Sequence, residues 1–231
     1  MGRGLKGIIF DFNGVLWWDT PLQGESWSRY AEILRGSPLA PQEIEKHVWG
    51  RDNRYILRYL TGQSFKGRLL EMHNDHKETI YRNLCLEQGE AFRLSPGTAR
   101  LLDWLRAHNV LRTIATSAGK ENMLFYFLHL HLENWFNFDT LVYDDDRMRT
   151  KPAPDPYLRA AKNLELSPEA CVVVEDSVHG IQAARAAGIG YIVALGPESE
   201  HPHLAQIEGV DLTVENLGQV PVEMLFAVNT G

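Results

Sequence analysis

Gly7-Ile8-Ile9-Phe10-Asp11-Phe12-Asn13-Gly14 places an acid at the end of a short apolar run, and the Asn13-Gly14 pair after it readily makes a turn. The run reads as a buried strand that delivers Asp11 at its tip. Downstream the period changes. From Pro21 to about Gln88 apolar residues recur at helical spacing, in Trp27, Tyr30, Ile33 and Leu34 and again in Tyr55, Ile56, Tyr59 and Leu60, with no strand between them. Ser95-Pro96-Gly97 is a helix-start signature, Leu101, Leu102 and Leu105 line one face, and Val110 to Ala115 forms a strand. A regular beat follows: a helix through Leu124 and Leu128, a strand near Thr140 to Tyr143, and a helix from Pro156 to Leu164. It continues with the strand Cys171 to Val174, a helix from Val178 to Ala187 and the strand Tyr191 to Ala194. Strands alternating with helices of this length imply parallel βαβ units, whose ligands gather at the carboxyl ends of the strands. The fold class is therefore α/β, a parallel sheet flanked by helices and interrupted by an all-helical insert. The predicted division is residues 1–18 and 94–231 for the core and 19–93 for the insert.

Composition agrees with this picture. The 231 residues are 44% hydrophobic, enough to bury a large core without a partner. A net charge of -7 with no Lys/Arg-rich block disfavours nucleic acid and anionic membranes as partners. The leading segment Met1 to Lys6 runs into a strand too short for a signal peptide or membrane span, so a cytoplasmic protein, monomer or weak dimer, is expected. Cys85 and Cys171 lack paired metal-ligand spacing and read as reduced packing residues.

Four sites sit where a predicted core strand gives way to a loop. Asp11 is desolvated at a strand tip unless paired, so it wants a cation, and a metal there leaves one oxygen able to attack phosphorus; a turn acid is the alternative. Thr116-Ser117 closes the strand through Ala115 and opens a helix, where hydroxyls and amides seat an anion or serve as an ordinary N-cap. Lys151 lies in Thr150-Lys151-Pro152-Ala153-Pro154-Asp155-Pro156, whose prolines restrict the backbone and aim a fixed positive charge, in contrast to a mobile surface lysine. Glu175-Asp176 follows Val172-Val173-Val174; adjacent carboxylates repel, which a hard divalent cation relieves, while Asp176 could equally cap the next helix.

Taken in order, Asp11-Phe12-Asn13-Gly14-Val15-Leu16, Thr116-Ser117, Lys151-Pro152 and Val174-Glu175-Asp176-Ser177 resemble the four motifs of the haloacid dehalogenase superfamily. The Lys-Pro-x-Pro-Asp-Pro-Tyr and Glu-Asp-Ser-x-x-Gly-Ile-Gln-Ala-Ala stretches resemble its branch of β-phosphoglucomutase and small sugar-phosphate phosphatases. The resemblance implies a Rossmann-like core with an inserted cap domain and a Mg²⁺-dependent hydrolase for small phosphorylated substrates. It makes Asp11 the nucleophile that carries an aspartyl-phosphate, and Thr116 and Lys151 holders of the phosphoryl oxygens, with Ser117 beside them. It makes Asp11, the main-chain carbonyl of Asn13, and Asp176 the Mg²⁺ ligands, with Glu175 close by.

One departure stands out. Phosphatases of this family usually place a second aspartate, a general acid and base, where this chain has Asn13, and an amide cannot shuttle a proton. Losing that function typically costs about 10²–10⁴ in rate, whereas any residue supplies the carbonyl ligand. An introduced substitution, a natural variant using leaving groups that need little protonation, and a substitute residue from the insert all account for it. Trp17-Trp18-Asp19, also unusual for the branch, favours the natural variant.

Substrate choice is expected from the insert, through Gln23, Trp49, Gly50, Arg51 and Asn53. Trp49 to Asn53 resembles the branch's specificity loop, or is a solvated turn; Gln23 stands where the mutase has a histidine, which weakens the mutase reading. His47, His201 and His203 read as packing or surface residues. Two rivals remain. A dehalogenase needs no metal and leaves Glu175-Asp176 unexplained, and a weakly catalytic phosphometabolite-binding protein rests on Asn13 alone.

Overall fold

Strand β1 (Gly7–Phe10) is buried along its whole length, as expected for a central strand covered on both faces. The structure is a computed structural model, described here over residues 4–145 and 147–226. Met1 to Arg3 of the leading segment and residues 227–231 of the expected core lie outside that range. After β1 come four helices, α1 (Thr20–Arg35), α2 (Pro41–His47), α3 (Asn53–Thr61) and α4 (Gly67–Glu87). The chain then runs α5 (Thr98–Ala107), β2 (Leu111–Gly119), α6 (Lys120–His129), β3 (Val142–Asp144), α7 (Asp155–Asn163), β4 (Cys171–Glu175), α8 (Val178–Ala186), β5 (Tyr191–Leu195), a one-turn helix, and β6 (Leu212–Val214). Asp19–Phe92 forms one compact unit and the rest of the described chain the other.

The α/β unit holds a six-stranded sheet in the order β3-β2-β1-β4-β5-β6, every neighbouring pair parallel. β1 pairs with β2 on one side and β4 on the other, so the chain order reverses between β1 and β4. Such a switch point is where open α/β sheets leave a crevice beyond their strand ends. Phe10 is level with Val174 and with Ile114, which brings Asp11, Glu175 and Thr116 to one end of the sheet. Beneath that edge, Ile9, Ala115, Val173, Ile181, Ile192 and Ala194 belong to one buried cluster.

The helical unit has its own core, in which Trp27, Tyr30, Ile56, Leu57 and Leu60 pack together. Ile33, one of the expected apolar stripe, is 59% exposed instead. Asp52 starts α3 by accepting a hydrogen bond from the Tyr55 amide at 2.8 Å, a standard N-cap. Among the described residues no helix is long and apolar enough to cross a membrane. Both cysteines are buried.

The structure also corrects the expected end of one strand. β2 does not end at Ala115 with a helix opening at Thr116; it runs to Gly119, with a register shift against β3 between Ala115 and Gly119, and α6 begins at Lys120. β6 had no counterpart in the sequence pattern, and α2, inside the stretch read as helical, had no apolar stripe of its own. β6 has three residues, and α2 buries none of its seven, so neither carries a usable apolar period.

Gly180, in the first turn of α8, lies against the Glu175 carboxylate at the end of β4, and a Cβ there would run into it. Alanine for glycine in a helix normally gains up to about 1 kcal/mol. Here Gly180→Ala is expected to destabilise by about 1–3 kcal/mol through overpacking. Denaturant unfolding checks this, and an unchanged or raised midpoint would contradict it.

Candidate active site

Asp11 takes up its position because its backbone N–H continues the β1–β4 ladder, donating to Val174 O at 3.0 Å. The chain then turns sharply: the amides of Val15, Leu16 and Trp17 all donate to Phe12 O, and Gly14 donates to Trp17 O at 2.7 Å. Ser95 pins this loop from outside, its Oγ donating to Val15 O at 2.6 Å and its amide to Leu16 O at 2.8 Å. Gly14 has φ 82° and sits where a Cβ would strike the Asp176 carboxylate. Only glycine suits that turn on both counts.

Lys151 bridges the strand ends. Its Nζ donates to Asp11 Oδ1 and to Glu175 Oε1, each at 2.6 Å, with 7% of the lysine side chain exposed and none of the Glu175 side chain. Tyr157 on α7 donates its hydroxyl to Glu175 Oε1 at 2.9 Å and sets its ring 5.0 Å from the ammonium. The other oxygen, Glu175 Oε2, accepts from the amides of Asp176 and Ser177 at 2.9 Å each and from Ser177 Oγ at 3.0 Å. Ser177 also caps α8, its Oγ accepting from the Gly180 amide at 3.0 Å.

Asp11, Glu175 and Asp176 each offer a carboxylate oxygen within 4.8 Å of one another. Three carboxylates face one ammonium, so negative charge is in excess. Burial is the largest force on Asp11 and pushes its pKa up to about 7; Lys151 opposes this, and Glu175 adds to it. Burial, then Glu175 and Asp11, hold Asp176 well above the ordinary aspartate range. Glu175 goes the other way: burial opposes its charge, but Lys151 and the hydrogen bonds from Ser177 and Tyr157 together outweigh burial and lower its pKa. Lys151 is likewise raised, its two carboxylates overcoming burial. An all-oxygen donor set with surplus negative charge suits a hard divalent cation. Glu175 would contribute to such a site in competition with its five hydrogen bonds.

The remaining expected residues divide by unit. In the α/β unit Asn13 donates from Nδ2 to the Tyr126 hydroxyl at 3.1 Å. Thr116 is buried, its Oγ1 accepting from the Ala118 amide at 3.1 Å, while Ser117 is exposed. In the helical unit Gln23 donates to Asp19 Oδ2 at 2.9 Å and accepts from Lys77 Nζ at 2.7 Å. Trp49 lies near Gly24, Gly50 has φ 69°, Arg51 stands 5.0 Å from the Tyr55 ring centre, and Asn53 donates to Asn74 Oδ1 at 3.1 Å. Those four lie on the α2–α3 turn, and Gln23 belongs to a separate polar group. His47 packs as expected, stacked on Tyr59 with ring centres 3.9 Å apart.

Sequence reasoning passed over Tyr157, Ser177 and Tyr126. The first two lie inside quoted motif stretches, where a hydroxyl so near the lysine and the acid pair was a usable signal. Tyr126 carries none, since a helix-face tyrosine reads as core. Asp19 and Lys77, 2% and 3% exposed in the helical unit, were missed for the opposite reason, since charged residues there read as surface.

The family model of haloacid dehalogenase-like hydrolases matches residues 5–188, a span that contains all four strand-end sites. The chain is 30% identical over 193 residues to the phosphorylated carbohydrates phosphatase of Thermotoga maritima, covering 80% of this chain and 82% of that one. It is 39% identical over 198 residues to the fructose-1-phosphate phosphatase YqaB of Escherichia coli, covering 79% and 93%. The crystal structure of a HAD hydrolase, family IA, variant 3, from Entamoeba histolytica matches with a TM-score of 0.89 at 32% identity, over 96% of this chain and 98% of that one.

The raised carboxyls give a pH signature. Asp11 and Asp176 bind protons more tightly folded than unfolded, so their contribution to stability is present at acid pH and lost as pH rises through the folded values, about 7 for Asp11. Glu175 acts oppositely, but only below the ordinary carboxylate range. Without divalent cations the melting temperature is expected to fall from about pH 5 to about pH 8, and the rise produced by Mg²⁺ to grow over the same interval. Differential scanning calorimetry checks both; a Mg²⁺ effect that shrinks with pH would contradict the assignment.

Proposed function

This chain belongs to the haloacid dehalogenase-like hydrolases, and on that premise we propose that it is a Mg²⁺-dependent phosphatase of small sugar phosphates, working through an aspartyl-phosphate on Asp11. The observation that carries the reading is the buried Lys151 ammonium between Asp11 and Glu175, with Asp176 in reach of both acids. Two relatives named for phosphorylated carbohydrates and for fructose 1-phosphate support the substrate class.

Asp11, Asp176 and the main-chain carbonyl of Asn13 would hold Mg²⁺, with Glu175 beside them. The cation supplies charge neutralisation for the phosphoryl group and the attacking carboxylate. Asp11 attacks phosphorus: one carboxylate oxygen bonds to it while the ester P–O bond breaks and its electron pair leaves with the alcohol oxygen. Lys151 and Thr116 hold the phosphoryl oxygens, with Ser117 alongside, and such positioning is most of what phosphoryl transfer requires. Water then attacks phosphorus and returns Asp11 to its carboxylate. Glu175 and Tyr157 keep the lysine in place. In the helical unit, Gln23, Trp49, Gly50, Arg51 and Asn53 choose the organic part of the substrate.

Phosphate release from a panel of sugar phosphates is expected with Mg²⁺, lost with a chelator and restored by fresh Mg²⁺. A dehalogenase would not share that dependence. Asp11→Asn is expected to abolish release in a protein that still melts cooperatively, and release that survives that substitution would overturn the reading. Asn13→Asp is expected to raise steady turnover by about 10²–10⁴, and unchanged turnover would show that Asn13 does not limit the reaction.

A further inference from the structure

Asn13 is held as part of the fold. Its Nδ2 donates to the Tyr126 hydroxyl at 3.1 Å. Tyr126, on α6, is fully buried, and its ring stacks on Phe12 with centres 4.3 Å apart and planes 26° from parallel. Phe12 is the residue between Asp11 and Asn13 and is itself fully buried. The loop is further closed by the Gly14 and Ser95 hydrogen bonds described above. The amide is therefore fixed two residues from the nucleophile, where it can orient a neighbouring hydroxyl but can neither give up nor take a proton at physiological pH.

Among the described residues, three other proton-bearing groups at these strand ends hold acids. Lys151 donates to Asp11 and Glu175, and Tyr157 and Ser177 both donate to Glu175. The Tyr126 hydroxyl accepts from the amide of Asn13, which cannot relay a proton.

Building on the phosphatase reading, we propose that this chain transfers phosphoryl groups without protonating the leaving oxygen, and so selects esters whose leaving group is already a stable anion. When Asp11 attacks, the P–O bond breaks with its electron pair going to the ester oxygen, and that oxygen departs carrying the full charge, taking a proton from solvent afterwards. Anomeric, enolic and aryl phosphates tolerate this because their oxyanions are weak bases. Phosphates of simple primary alcohols do not. Within the sugar phosphates the inference therefore points to phosphate on the anomeric carbon, and so away from primary esters such as the fructose 1-phosphate for which one relative is named.

The test is the pre-steady-state burst of leaving group, which reports the first step alone, followed with Mg²⁺ across nitrophenyl, phenyl and primary-alkyl phosphates. The burst rate of the wild-type chain is expected to fall steeply as the leaving group becomes more basic, and Asn13→Asp to flatten that dependence. The variant should gain about 10²–10⁴-fold on the alkyl ester and little on the nitrophenyl ester. A shallow wild-type dependence, or parallel dependences in the two proteins, would overturn the inference while leaving the phosphatase reading intact. Absence of leaving-group release from every ester would overturn both. The wild-type slope tests the point even if Asn13→Asp fails to fold.

Discussion

A single buried ammonium organises the α/β unit. Lys151 donates to Asp11 and Glu175 at the ends of adjacent strands, which lie on either side of the point where the strand order reverses. Neither carboxylate is tolerable there alone, since removing one partner of a buried ion pair typically costs about 3–5 kcal/mol. The hydrogen bonds from Tyr157, Ser177 and two amides serve the same end, fixing Glu175 so that it fixes the lysine. Even so the charges do not cancel. Asp176 joins the group, and burial, with the neighbouring carboxylates adding to it, raises the pKa values of Asp11 and Asp176. A structure that raises the energy of its own carboxylates at one point is prepared for a cation at that point.

Much of this was legible in the sequence because parallel strands advertise themselves. Val172-Val173-Val174 and Ile8-Ile9-Phe10 are continuous apolar runs that stop at an acid, and both are fully buried. The lysine was legible through its prolines. Hidden were the features that depend on register or on packing around a corner. Nothing in Thr116-Ser117-Ala118-Gly119 distinguishes a strand with shifted register from the start of a helix. Tyr126 and Tyr157 look like ordinary core aromatics until the fold brings their hydroxyls to Asn13 and Glu175. The buried Lys77 of the helical unit was equally hidden. Its ammonium is satisfied by Gln23 and Glu78 and lies near the rings of Trp27 and Tyr81, an arrangement no periodicity reveals.

Asn13 separates two properties that usually travel together. In the proposed mechanism cation binding would draw on a main-chain carbonyl, which every residue has, while proton transfer needs a side chain that titrates. On that proposal asparagine would leave the electrostatic part of phosphoryl transfer in place and lack the acid–base part. Because a buried tyrosine stacked on the neighbouring Phe12 holds the amide, the surrounding fold accommodates asparagine at this position.

The central claim is that Asp11 itself carries the phosphoryl group, and acid-quench mass spectrometry of the chain during turnover of a sugar phosphate with Mg²⁺ tests it most directly. The account predicts a mass increase of one phosphoryl group, mapped by peptide sequencing to Asp11 and absent without Mg²⁺. Steady phosphate release with no adduct at any quench time, or an adduct on another residue, would contradict it.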